Sequence, residues 1–262
     1  KIKINLIIIR NITKLPKNTT SYNLINFYKL DNKIGLRTKT YSISEDFNRE
    51  LSKRLKKDII RSERILQKSG NLKHTIIQND SLEMRKVLKE IINKKTEQLL
   101  KKACNNPLTH YKLIEYYSNF FTTRKDINAD KFQFKPQLDL LNLDKKLLAA
   151  SLSLSYKNTF YYLIPVIFDS DFQKYSPGRI LLNMTISKAI NSGNKNIDFL
   201  IGEENYKKRF NGIKYTTYDI AVSLSKKGKL VGLILKLNRK IINKLKNFKV
   251  LQEVLIKYYS FL

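Results

Sequence analysis

The sequence predicts an α/β (α+β) fold, a mixed sheet flanked by helices, and three observations support this prediction. Three strand-like runs joined by short turns, residues 138–143, 147–156 and 159–168, follow Pro136. They read as antiparallel hairpins. A helix from Ser176 to about residue 191 and a strand over 196–200 come next, which makes a β–α–β unit with parallel strands. Helical periodicity dominates much of the first half.

The first half contains weaker strands and basic helices. Strands are predicted over 1–10, 22–30, 34–43 and 72–77, and helices over 44–70, from Ser81 to about 106, and over 107–121. Ser44 and Ser81 are expected to cap their helices. The exposed face of the 44–70 helix is strongly basic. We place a domain boundary near residue 130, giving an N-terminal half (1–130) and a C-terminal domain (131–262).

The second half continues with a short helix over 203–210, a strand over 213–224 and a basic helix over 229–259. The alternation of Leu148, Ala150 and Leu152 with smaller residues predicts a strand buried on one face. The apolar side of the last helix is expected to dock on the sheet, with an anionic membrane surface as the alternative. It comprises Leu233, Leu237, Ile241 and Leu245.

Composition excludes several classes of protein. The 262 residues carry a formal charge of +29, and 42% are hydrophobic, which is enough for a core. A single cysteine, Cys104, rules out an internal disulfide and favours a reducing compartment. The apolar runs are too short to span a membrane stably. We therefore expect a cytoplasmic protein, with attachment to a membrane surface left open, and no metal site. The charge indicates either codon bias or a surface that attracts anions.

One loop indicates anion binding. In the run DFQKYSPGRI, Ser176 can cap a helix, Pro177 suits its first position, and Gly178 leaves room above it. The backbone N–H groups of Gly178, Arg179 and Ile180 would then face an anion such as a pyrophosphate. Lys174 and Arg179 would add positive charge. The alternative is an ordinary well-capped helix.

A second segment, IDFLIGEENYKKRF, places polar groups beyond the next strand. Asp198 lies on the strand, and Glu203, Tyr206 and Lys207 follow Gly202. Ligands gather at the carboxyl ends of strands in open α/β sheets, so these side chains could act as a general acid and base. The alternative is that they only favour a helix start and contact solvent.

Together the strings YSPGRILL and IDFLIGEENYKKRF resemble the signature of CelD/BcsL-type acetyltransferase-like proteins of the GNAT superfamily, which are related to the Fem transferases. The resemblance implies a double GNAT-like fold, here with an incomplete N-terminal half, in a chain that begins with Lys rather than Met. It implies acyl transfer, most often acetyl, from acyl-CoA to an amine of a bacterial surface polysaccharide or cell-envelope precursor, small or lipid-linked.

The resemblance also implies residue roles. Lys174, Tyr175, Ser176, Gly178, Arg179 and Ile180 would hold acetyl-CoA. Asp198 or Glu203 would be the base, Tyr206 would protonate the thiolate or orient the acceptor, and Lys207 would contact an anionic acceptor. Two rivals remain: an aminoacyl transferase that uses aminoacyl-tRNA bound on the 44–70 helix, and a non-catalytic binding protein. The oligomeric state is left open.

Overall fold

The structure, a computed structural model, describes residues 6–13, 26–79, 81–100, 115, 117 and 134–245. The strands are β1 (Leu6–Ile12), β2 (Asn26–Arg37), β3 (Leu72–Ile77), β4 (Lys135–Leu143), β5 (Lys146–Tyr156), β6 (Thr159–Ile167), β7 (Asn196–Ile201) and β8 (Ile213–Ser223). The helices are α1 (Ser44–Glu50), α2 (Lys53–Ser69), α3 (Leu82–Leu100), α4 (Pro177–Asn191), α5 (Asn205–Arg209) and α6 (Lys226–Leu245). The predicted mixed α/β class is confirmed.

The chain forms two compact units, one of residues 1–35 and 214–262 and the other of residues 36–213. In the larger unit the strand order is β3-β4-β5-β6-β7, and in the smaller unit β8 lies between β1 and β2. The ladders from β3 to β6 are antiparallel, and the β6–β7 pair is parallel. The predicted β–α–β unit is therefore present. These units do not follow the predicted boundary at residue 130, and the two-domain division remains a prediction.

Both faces of the larger unit's sheet are covered. Helix α3 packs one face with Leu88 and Ile91, while α2 and α4 cover the other with side chains such as Leu66 and Leu181. On β5 this buries Ala149 and Ser151 as fully as their neighbours. The prediction that β5 is buried on one face was therefore wrong, because small residues on its second face allow helices to pack closely there.

The 44–70 segment forms two helices rather than one. Leu51 is extended (ψ 140°) and buried, and it separates α1 from α2. The Ser52 hydroxyl then caps α2 by accepting a hydrogen bond from the Leu55 N–H at 3.2 Å. The predicted cap, Ser44, is instead the first helical residue of α1, and its hydroxyl contacts Glu45. The cap at Ser81 is confirmed, since its hydroxyl accepts from the Met84 N–H at 3.0 Å.

Further boundaries differ from the predictions. The two strands expected over 22–30 and 34–43 are one continuous strand, β2, stabilised in the smaller unit by an ion pair between Lys33 and Asp219 of β8. The helix expected over 203–210 is the shorter α5. The helix expected over 107–121 falls almost entirely outside the described residues. Only residues 115 and 117 of this range are described, and both are helical. The last helix is described only to Leu245.

Helix α6 of the smaller unit does not bury its apolar side. It contacts β1, yet Leu233 and Leu237 are 46% and 51% exposed. The expectation that this side docks on the sheet was wrong for these two residues. The side that is buried instead contains Gly228 and Gly232.

Candidate functional site

The parallel pair β6–β7 separates near its carboxyl end. The ladder pairs residues 159–161 with residues 196–198, and these two fully described strands share no pairs beyond it. Strand β6 continues to Ile167 and β7 to Ile201. Leu200 has a positive φ of 61°, which takes β7 out of regular strand geometry. The facing edges of two strands are thus open to partners other than each other.

Two side chains of α3 occupy the exposed edge of β6. The Phe168 N–H bonds to Leu148 on β5, so the carbonyls of Pro165 and Ile167 point to the opposite edge. Lys95 Nζ donates to the Pro165 carbonyl at 3.1 Å, and Gln98 Nε2 donates to the Ile167 carbonyl at 3.0 Å. Sequence reasoning missed both residues, because the α3 periodicity gives no sign of which strand its polar side meets.

Helix α4 begins at the same end of β6. A Cβ on Gly178 would lie 3.3 Å from Ile167 Cγ1, so the glycine allows the helix start to pack against the end of the strand. The chain reaches it through a short 3-10 turn (Gln173–Tyr175). Asp169 organises this loop by accepting from the N–H groups of Asp171 and Phe172 and by pairing with Lys146. The pairing with Lys146 lowers the pKa of the Asp169 carboxyl.

The start of α4 differs from the prediction in detail. Ser176 has a left-handed backbone (φ 52°, ψ 53°), and its hydroxyl forms no capping hydrogen bond. Its carbonyl instead accepts from the N–H groups of Arg179 and Ile180, at 2.9 and 3.3 Å. The expectation that three N–H groups stay available was therefore wrong for two of them, since a helix satisfies these donors itself once its first turn closes. Among the described hydrogen bonds, the Gly178 N–H has no partner.

Both cations predicted beside this helix start contact other side chains. Arg179 Nη1 lies 3.6 Å from the Asp58 carboxylate of α2, and Lys174 Nζ lies 5.1 Å from the centre of the Tyr175 ring. Tyr175 packs against an apolar cluster that includes the buried Ile180. All six residues predicted to hold a cofactor thus lie at one helix start, with α2 beside it.

Asp198 is buried and fully bonded. Its side chain is 2% exposed, and its Oδ2 accepts from Arg37 Nη2 at 2.5 Å and Nε at 2.9 Å. Its Oδ1 accepts from the Leu200 N–H at 2.8 Å. These contacts stabilise the irregular end of β7 where the ladder stops. Sequence reasoning missed Arg37, which lies 161 positions away in the chain.

Lys207 is also buried, contrary to expectation. Its ammonium donates to the Ile201 carbonyl at 2.8 Å, to the Gly202 carbonyl at 3.4 Å and to Glu204, which lies 2.8 Å away. The side chain is 3% exposed, so no donor remains for an anionic acceptor. Burial of the Glu204 carboxyl favours its protonated form, but the hydrogen bond from Lys207, a backbone hydrogen bond and the Lys207 charge together outweigh this effect and lower its pKa. Lys95 also contributes to this lowering.

Tyr206 and Glu203 lie just beyond the end of β7. The Tyr206 ring meets Phe199 edge to face, with 6.5 Å between the ring centres. Burial first, and then the charge of Glu204, raise the pKa of the Tyr206 phenol above its ordinary value. The phenol therefore stays protonated at neutral pH. Glu203 is exposed at the same turn.

A second polar cluster lies on β3 and β4. His74 Nε2 is 3.0 Å from the fully buried Asp139, whose two oxygens also accept from Gln137 Nε2 at 3.1 and 2.9 Å. His74 is thus one of the polar partners that a buried carboxylate such as Asp139 requires. The other histidine, His110, and Cys104 lie outside the described residues. Within the described part of the chain, no cluster of His, Cys, Asp and Glu is suited to a metal ion.

Comparison with known proteins gives a family. The family model for the acetyltransferase (GNAT) domain matches residues 53–208, which include both edges of the β6–β7 opening and the start of α4. No curated protein matches the chain.

Among solved structures, a FemX crystal structure superposes with a TM-score of 0.55 at 11% identity, covering 81% of this chain and 68% of that one. A tandem GNAT protein from the clavulanic acid biosynthesis pathway has a TM-score of 0.44 at 9% identity, covering 84% and 64%. The likeness to FemX supports the fold alone. Since the family model covers more than half of its length, the chain belongs to the GNAT acetyltransferase domain family.

Proposed function

We propose that the protein is an N-acyltransferase of the CelD/BcsL type that moves an acyl group, most simply acetyl, from acyl-CoA to an amine. The observation that carries this proposal is the end of the β6–β7 ladder after three pairs, beside the start of α4. A thioester donor has an extended arm with amide groups, and open strand edges suit such a chain. The acceptor would be a small or lipid-linked precursor of a surface polysaccharide or the cell envelope.

The donor would contact both ends of this opening. Its pyrophosphate would meet the Gly178 N–H and the positive end of the α4 dipole, with Lys174 and Arg179 supplying charge. Its amides would compete with Lys95 and Gln98 for the carbonyls at the β6 edge. Because Lys95 is close to Glu204 and bonded to Pro165, it is also positioned to balance charge that develops on the thioester oxygen.

The proposed transfer follows from these positions. The amine nitrogen forms a bond to the thioester carbonyl carbon, and a base takes the proton that the amine loses. Glu203 suits this role better than Asp198, because Glu203 is exposed whereas Asp198 is buried. The carbon–sulfur bond breaks, and Tyr206 gives its proton to the departing thiolate. An amide and free CoA result.

Calorimetry and thiol release test the proposal. Gly178→Asp places a carboxylate where the pyrophosphate would lie, and we expect acyl-CoA affinity to fall about tenfold or more. Gly178→Ala adds only a methyl group near Ile167, so it serves as the matched control and should bind nearly normally. Unchanged binding by Gly178→Asp would contradict the phosphate site. Binding without thiol release across a panel of amines would instead favour a non-catalytic binding protein.

A second candidate is an aminoacyl transferase that uses aminoacyl-tRNA, and one feature of α2 favours it. Five exposed cations follow one another along one side of this helix at intervals of three and four residues: Arg54, Lys57, Arg61, Arg64 and Lys68. Four of them line a groove of about 360 Å³ together with Ile60 and Ile65. A row of single charges suits the regular phosphates of an RNA strand. Steeply salt-dependent tRNA binding, lost when these five residues become Gln, would support this candidate over acyl-CoA.

A further inference from the structure

Helix α6 has an exposed apolar side that the acyltransferase function does not use. We call this surface the apolar ridge, and its five side chains are between 46% and 62% exposed: Leu230, Val231, Leu233, Ile234 and Leu237. Leu230, Ile234 and Leu237 are spaced by four and three residues, so they form one continuous line along the helix. A contiguous exposed apolar surface of this kind marks an interaction site.

The orientation of α6 makes the ridge a feature of the fold rather than a frayed end. Gly228 and Gly232, on the opposite side, are buried, and the helix contacts β1. The helix start is fixed as well, because the Ser225 hydroxyl accepts from the Gly228 N–H at 3.0 Å. The small residues therefore face the protein, and the large apolar residues face outward.

The charge of α6 indicates what covers the ridge. Its sequence, KKGKLVGLILKLNRKIINKL, contains seven Lys and Arg residues and no Asp or Glu. A second copy of the chain would bring the same cations and a further net charge of +29, so self-association is opposed by repulsion. A surface that is anionic outside and apolar beneath would complement both the cations and the apolar ridge of α6. A bilayer of anionic lipids has this chemistry.

We propose that the apolar ridge of α6 docks on an anionic membrane surface, with the helix lying in the plane of the interface. The ridge enters the boundary between headgroups and acyl chains, and Lys229 and Lys236, beside the ridge, extend to the lipid phosphates. This mode differs from spanning: within the described residues, none of the helices combines the length and apolarity that crossing a bilayer requires.

Vesicle flotation with the full chain tests the docking. We expect the protein to float with vesicles of equal parts phosphatidylglycerol and phosphatidylcholine. It should not bind vesicles of pure phosphatidylcholine. The triple variant Leu230→Ser, Ile234→Ser, Leu237→Ser should lose affinity by about a hundredfold, since three half-exposed side chains no longer enter the bilayer. Replacing Lys229 by Gln should cost about fivefold.

A matched control separates the ridge from general surface hydrophobicity. The variant Ile43→Ser, Leu82→Ser, Ile213→Ser removes three apolar side chains that are 47%, 89% and 59% exposed elsewhere, and it should bind normally. Equal losses in both triple variants, or no binding by the unaltered chain, would overturn the proposal.

A fluorescent reporter identifies other occupants of the ridge. The chain has no tryptophan, so Leu237→Trp introduces a single emitter. We expect its emission to shift to shorter wavelength when phosphatidylglycerol vesicles are added. Emission already shifted without vesicles would mean that another segment of the chain or a second copy covers the ridge, and light scattering would distinguish these two cases. Either result would overturn membrane docking.

Discussion

Replacing Arg37 by Met removes the cation that pairs with Asp198 at the end of β7. The Asp198 side chain is 2% exposed, so the carboxylate cannot regain water when its partner is lost. Its Oδ1 also accepts a hydrogen bond from the Leu200 N–H at 2.8 Å. The variant therefore takes the arginine partner away from a buried carboxylate, and breaking a buried ion pair on one side is strongly destabilising.

The expected loss of folding free energy follows from the exposed fractions of the Arg37 and Asp198 side chains. Breaking a buried pair by removing one partner costs about 3–5 kcal/mol. Because the Arg37 side chain is 38% exposed, water can enter part of the space it vacates, and we place Arg37→Met near the lower end, at about 3 kcal/mol. Asp198→Asn leaves an arginine that solvent reaches and an amide oxygen that still accepts from Leu200, so it should cost about 1 kcal/mol.

Urea unfolding of the two single variants and the double variant measures these costs. The double variant should be more stable than the sum of the single effects implies, because it contains no buried carboxylate that has lost its arginine partner. A cost of less than about 1 kcal/mol for Arg37→Met would contradict the reasoning. Thiol release in Asp198→Asn separates stability from chemistry, since a general base would lose at least about a hundredfold in rate.

Three further outcomes are expected. Tyr206→Phe should bind acyl-CoA normally but release thiol at least about a hundredfold more slowly, as measured in stopped assays with a fixed amine. Lys95→Met should reduce the rate of transfer more than the affinity for donor if its ammonium balances charge in the transition state, and steady-state kinetics at varied acyl-CoA concentration would show this split. Burial and a hydrogen bond to Glu50 raise the pKa of Tyr41 from 10.0 to about 12. The stability this gives is complete below pH 10 and is lost as the pH rises to about 12, so Tyr41→Phe should flatten the alkaline limb of unfolding curves.

Sequence periodicity predicted most of the elements that form the opening. The helix after Ser176 and the parallel strand after it were recognisable because each signal is local: an apolar run, a proline at the first helical position and a closing glycine. The cap at Ser81 was predictable for the same reason. The break at Leu51 was not, since Leu51 continues the helical apolar pattern and only tertiary packing makes it extended.

The roles of charged residues near the site were harder to predict. Lys207 lies in a strongly basic stretch, and its sequence context equally suits a solvated surface or an acceptor contact. Its burial depends on the carbonyls that β7 leaves unpaired at Ile201 and Gly202. Lys95 and Arg37 reach the site from distant positions, so no spacing in the chain relates them to it. Such contacts follow from topology, which single-sequence patterns do not determine.

The cationic row on α2 bears on how the excess charge should be interpreted. Arg37, Lys95 and Lys207 have carbonyl or carboxylate partners. Such partners are required above all at Lys207, because a buried cation without them would be too costly. The five cations of the α2 row are instead exposed and lie next to one another. Each adjacent pair along the row is a like-charge contact of the kind that costs a helix about 0.2–0.5 kcal/mol, or about 1–2 kcal/mol in total. Codon bias explains many lysines but not three arginines in register on one helix side, since arginine is scarce in the rest of the chain. A polyanion that neutralises the row would recover this cost on binding. Under the two proposed functions it would be RNA or the nucleotide end of acyl-CoA at the start of α4.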